Sequence, residues 1–198
     1  MLTEPSLAVL IDCWDNPVNL SLHKSIVEHL ENNPAITTVV LASYNCTAEY
    51  LKNDTLWYCN SRVLYDSETT PRKIKDLSYV HRLHHMTRDK QHKHERTCPT
   101  MLNYHNPSKF QIAMHWPWQL EYYLSQNPHI KNVYVFGSAW DICVAIRPLG
   151  YKALTEIQGI RILTHEQCVT SDDLQHPNLD LDTMWIRVGD GTYCYKQA

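Results

Sequence analysis

The chain has 198 residues, which suits one domain with a sizeable core. It holds 7 Cys, 12 His and only 5 Gly, where average usage would supply about 14. No Gly precedes Gly137, which excludes a glycine-rich phosphate loop of the P-loop or dinucleotide-binding type. The net charge of −3 hides a basic, His-rich stretch at 71–96, where eight Lys/Arg meet three acids and leave −8 for the rest.

Seven scattered Cys without a CxxC read as free thiols in a reducing compartment. The N-terminus lacks the basic start of a secretory signal, and no apolar run approaches the ~20 residues of a membrane span. A soluble, cytoplasmic protein is the expectation.

In chain order, Leu7 to Ile11 is an apolar run that predicts a buried strand ending at Asp12. Leu20, Leu22, Ile26, Val27 and Leu30 predict a helix, stopped by Asn32-Asn33-Pro34. Ile36 to Ala42 predicts a second buried strand. Residues 48–58 suit a short helix, and the spacing of Ile74, Leu77, Val80, His81 and His84 suits another. Thr100 to Tyr104 reads as a weak third strand. Ile112, Trp116, Leu120 and Leu124 form an i, i+4 stripe, kinked or started by Pro117. Asn132 to Phe136 is the clearest strand, followed by the turn Gly137-Ser138-Ala139-Trp140 and a helix capped by Asp141. Ile160 to Leu163 is a further strand, and the tail at 184–196 alternates around Gly189-Asp190-Gly191 as a hairpin. This order implies an α/β fold with a mainly parallel sheet.

Chemistry in such sheets gathers at the carboxyl ends of strands. Asp12, the segment Asn103 to His105, and Cys143 all qualify. A Cys at a helix start is well placed to become a thiolate, and a nearby carboxylate can move its proton. On physics alone, a buried Cys is as often a small hydrophobe.

Residues Val133 to Val144, which include Gly137-x-Ala139-x-Asp141-x-Cys143-Val144, resemble the nucleophile signature of the isochorismatase-like cysteine hydrolases. Val9 to Asp12 is similar to that family's first strand, and Asn106 to Phe110 to its segment after strand three. The likeness spans roughly residues 7–165. It implies one domain over 1–198 with a basic, His-rich insertion at 71–96 and a C-terminal β-hairpin. The implied fold is a Rossmann-like three-layer α/β/α sandwich with a mostly parallel six-stranded sheet. It further implies a Cys-Lys-Asp triad acting on amide-like C–N bonds, and a cis peptide before the nucleophile turn, here Ser138–Ala139.

Carried over residue by residue, Cys143 is the nucleophile and Asp12 the proton-transfer group. The backbone N–H groups of Ala139 and Cys143 form the oxyanion hole. The family Lys maps to Tyr104, or within one residue to Asn103 or His105, and none is Lys. Lys109 is the nearest candidate, and a protonated His105 can substitute in part. Tyr104, His105, Phe110, Trp14 and Trp140 are the substrate-binding candidates, the two Trp for stacking a planar ligand. The nicotinamidase branch's Asp-x-His has no counterpart in Ser43 to Thr47, so the resemblance brings no metal and no cofactor. The histidines at 81–94 read first as a charged surface, with anion binding and metal behind it.

Two function classes follow. One is a cysteine hydrolase cleaving an amide or related C–N bond of a small planar metabolite. The other is a catalytically impaired fold of the same kind that binds or sequesters a small ligand or protein partner. A nucleic-acid or nucleotide binder using residues 71–96 ranks below both. Homo-oligomerisation is expected from the family, and no membrane contact is.

Overall fold

Leu7-Ala8-Val9-Leu10-Ile11 has no polar side chain to turn outward, and in the computed structural model it forms the centre of the sheet. The structure describes residues 4–13, 20–42, 57–58, 106, 108–114, 117–147, 149–171 and 175–196. Strand β1 (Ser6–Ile11) lies between β2 (Ile36–Ala42) and β5 (Asn132–Gly137), parallel to both, and every one of its residues is buried. Two-sided burial is why the runs at 7–11, 39–42 and 133–136 are mostly apolar and not alternating.

Among the described residues the strand order is β3-β4-β2-β1-β5-β6-β8-β7. Here β3 is Trp57–Tyr58, β4 Phe110–Met114, β6 Arg161–His165, β7 Trp185–Gly189 and β8 Thr192–Tyr195. The strands from β3 to β6 pair in parallel, and the β7–β8 hairpin joins β6 antiparallel. The result is a mixed sheet of eight strands where six were expected, because the C-terminal hairpin adds to the sheet.

The two sheet faces separate by residue parity, as the two-residue period of a strand requires. Leu7, Val9 and Ile11 enter one core cluster, while Ala8 and Leu10 enter the other. Helix α1 (Leu20–Asn32) covers the second face with Leu22, Ile26 and Leu30, each buried and four residues apart. Burying each such side chain stabilises by about 1.5–3 kcal/mol. Its last turn carries His29, packed edge-on against Phe136 and 4.6 Å from His165. Burial, then the neighbouring His165, pushes the His29 pKa down to about 4, so His29 is neutral. Helix α2 (Pro117–Gln126) sets Leu120 and Leu124 into the opposite cluster.

Two expectations change here. Ile112 belongs to a strand and not to the helical stripe. Ile112 and Met114 are both fully buried at a spacing of two, in register with Val40 and Ala42. The helix then opens at Pro117, where the missing N–H costs nothing. Trp57–Tyr58 is strand, so the helix expected over 48–58 does not include its last two residues. The rest of that segment, the helix around Ile74 to His84, the strand at 100–104 and the basic stretch 71–96 lie outside the described residues.

Among the described residues Cys13, Cys143, Cys168 and Cys194 are free thiols, and no helix is long and apolar enough to cross a membrane.

Candidate active site

The carboxyl ends of β1 and β5 meet at Ile11 and Gly137, which are register partners. A Cβ on Gly137 would stand 1.9 Å from the Ile11 carbonyl oxygen, and its φ is +149°. Only glycine permits this approach. Beyond it both chains turn through the left-handed region on residues that have side chains, Asp12 at φ 51° and Ala139 at φ 58°. Each costs roughly 1 kcal/mol or more, a cost that clusters at functional positions. The segment after β6 laces the turn in place. The Thr170 N–H donates to Gly137 O at 3.2 Å, and the Trp140 N–H donates to Thr170 O at 2.7 Å.

A π-helical turn follows over Trp140–Val144, closed by the Val144 N–H to Ala139 O at 3.1 Å. Such turns are rare and concentrate at functional sites. The helix starts two residues earlier than predicted, at Trp140, with Ala139 as its N-terminal cap and no side-chain cap. Asp141 is thus an exposed first-turn residue and not a cap. Helical hydrogen bonding persists to Arg147, whose N–H donates to Cys143 O at 3.1 Å.

This geometry gathers three side chains. The Cys143 thiol and the Asp12 carboxylate are near enough for each to shift the other's proton affinity. Arg147, one helical turn beyond Cys143, donates to Asp12 Oδ2 from Nε at 3.0 Å and from its terminal nitrogen at 2.9 Å. The Asp12 side chain is 2% exposed and that of Arg147 17%. Burial raises the Asp12 pKa above its ordinary value, against the lowering effects of Arg147 and of Cys143. Burial first, and the Asp12 charge second, push the Cys143 thiol up to about 12, with Arg147 acting in the other direction. At rest the sulfur is a protonated thiol beside a carboxylate of enhanced proton affinity. That is the arrangement for base-assisted nucleophilic attack.

The other candidates from the sequence are placed differently. Lys109 is at the opposite end of the sheet. Its Nζ is buried and donates to Ile36 O at 2.6 Å and to Asn33 O at 3.1 Å, where β2 begins. It precedes β4 and is about five residues of strand, roughly 17 Å, from the level of Asp12. Lys109 is therefore not the site's cation. Phe110 begins β4 at the same far end, half exposed, its ring parallel to that of Tyr123. Trp14, Tyr104 and His105 lie outside the described residues. Among the described residues no peptide is cis, so Ser138–Ala139 is trans.

Trp140 is a core residue and not a stacking platform. It is buried, 5.1 Å from the Tyr151 ring and 5.0 Å from that of Trp185. Tyr195 completes the group, which ties the π-turn to the hairpin. Trp140→Phe is expected to cost about 1–2 kcal/mol in urea unfolding and to leave the alkylation rate of Cys143 unchanged. A large change in that rate would return Trp140 to the pocket wall.

Arg147 is the residue that sequence reasoning missed. The available signal was its i+4 spacing from Cys143, which puts both on one helix face.

No protein-family model, curated protein or solved structure matches the chain.

Proposed function

We propose that the chain is a cysteine-dependent hydrolase of a small amide or related C–N bond, built on a Rossmann-like, isochorismatase-like three-layer α/β/α fold. The observation that carries this reading is the Cys143–Asp12–Arg147 constellation, at the strand ends where such sheets gather their chemistry.

In the first step Cys143 Sγ bonds to the carbonyl carbon as its proton passes to Asp12. The oxyanion that forms is held by the backbone N–H groups of Ala139 and Cys143. Asp12 then gives the proton to the leaving nitrogen, and the C–N bond breaks to leave a thioester. Water, deprotonated by Asp12, attacks the thioester, and the acid departs as Cys143 regains its proton. Arg147 keeps Asp12 ionised and aimed, a task that the family assigns to its Lys. A small-molecule substrate and a homo-oligomeric state belong to the same proposal.

A second reading has its own support. The thiol pushed up to about 12 and the Arg147 guanidinium committed to Asp12 also suit a resting site that binds a ligand without turning it over.

The test is ammonia or amine release from a panel of planar carboxamides and ureido compounds, with wild type beside Cys143→Ala. Turnover that falls at least about 10³-fold in the variant is expected, given that loss of a nucleophile is among the largest single-residue effects. Equal release by both proteins would end the hydrolase reading. Binding without release would establish the second.

A further inference from the structure

The opposite face of the sheet carries a second cluster, away from Cys143. One nitrogen of His29, one of His165 and the Sγ of Cys168 all lie within 4.8 Å of one another. They come from three elements: the last turn of α1, the end of β6, and the 3-10 turn Glu166–Cys168 that follows. Cys168 is fully buried in the cluster that α1 covers, whereas Cys143 packs against the other.

We propose that His29, His165 and Cys168 form a site for a zinc-type divalent ion, bound by two imidazole nitrogens and one thiolate.

The His165 ring is already set as metal-binding imidazoles are. Its Nε2 is 2.9 Å from Asp190 O, a carbonyl that can only accept, so Nε2 carries the proton and donates. That leaves the Nδ1 lone pair on a long 3.3 Å bond from the Gln167 N–H, which binding of an ion would replace. A ring N–H given to a backbone carbonyl is the usual support of a ligating His. The hairpin supplies this carbonyl because Gly191 can come down on the ring. A Cβ there would meet His165 Nε2 at 2.9 Å, and φ is +74°.

His29 Nε2 is buried and has no hydrogen-bond partner among the described residues. A buried ring nitrogen without a hydrogen-bond partner calls for an explanation, and a metal supplies one. Cys168 Sγ is 3.8 Å from Ser25 O, one turn before His29 on α1, so the thiol is held toward the same helix. Tetrahedral zinc brings N and S ligands to about 3.3–3.6 Å from one another. Closing from within 4.8 Å to that spacing takes side-chain movements of about 1 Å. Binding forms the metal–sulfur bond and releases the Cys168 proton to solvent, and a fourth position stays open to water.

The test uses the reduced, chelator-stripped full chain titrated with Co²⁺. Wild type is expected to bind one ion with a thiolate-to-cobalt charge-transfer band, which Zn²⁺ then abolishes. Cys168→Ser should lose the band. His165→Ala, at a half-buried position, should weaken Co²⁺ binding at least about tenfold while far-UV circular dichroism shows that it folds. Histidines at 81–94 can take up cobalt but cannot give a thiolate band. No band in folded wild type, or a band that survives in both variants, would overturn the proposal.

Discussion

Asp12→Asn should speed the alkylation of Cys143 while abolishing turnover. The two effects have opposite signs because the carboxylate has two opposite influences on the sulfur. At rest its charge, second only to burial, holds the thiol up to about 12. The amide removes that charge and releases Arg147, which favours the thiolate. A tenfold gain in thiolate is partly offset by a less nucleophilic sulfur, so iodoacetamide should react about threefold faster or more at pH 7. In the proposed reaction Asp12 is the base that takes the thiol proton and returns it to the leaving nitrogen. Without it the rate on any amide that wild type cleaves should fall by about 10²–10⁴-fold. A carboxylate that merely braced the turn would move both rates downward. Slower alkylation, or surviving turnover, would remove Asp12 from the role of base.

The parts of the fold that were legible in the sequence are those where burial leaves no choice of residue. The central parts of β1, β2 and β5 are covered on both faces, so 7–11, 39–42 and 133–136 are nearly continuous apolar runs. β4 was obscured by coincidence. Its inward residues Ile112 and Met114 alternate at a spacing of two, yet Ile112 also stands at i, i+4 positions with Trp116 and Leu120. The same shift explains Lys109. With a strand at Thr100 to Tyr104 this lysine would follow the strand and approach the site. With the strand at Phe110–Met114 it precedes it and belongs to the other end of the sheet.

Asp12 and Cys143 could be found because each ends or follows an unmistakable strand. Arg147 bridges to a residue 135 positions earlier, and no local pattern reports such a pairing. Helical hydrogen bonding reaches Arg147, the residue before Pro148, so a proline in the sequence did not mark the last residue useful to the site. The hydrogen bonds to Thr170 that shape the turn before Cys143 were hidden for the same reason. They join β5 to a segment past β6 through backbone atoms, which carry no sequence signal.

Arg147→Ala should cost about 3–4 kcal/mol at pH 7, because it leaves a buried carboxylate without its cation. In a chain of this size that lowers Tm by about 10 °C. The pH dependence identifies the cause. Burial already raises the Asp12 pKa in the folded protein, so protonation favours folding, and that stabilisation is lost as pH rises through the folded value. Removing Arg147 raises the folded value further and widens the window. The variant's deficit should therefore shrink steadily as pH falls toward the unfolded carboxylate range near 4, where a neutral Asp12 needs no partner. Thermal melts of both proteins between pH 4 and pH 7 measure it. A deficit that stays constant across that range would assign the loss to packing of the Arg147 stem. Arg147→Lys should recover only part of the loss, since one ammonium replaces two guanidinium donors on Oδ2. Asp12→Asn combined with Arg147→Met removes both charges together and should come close to wild-type stability, as replaced buried ion pairs commonly do. A stable double variant without turnover would mean that this ion pair is maintained for chemistry and not for folding.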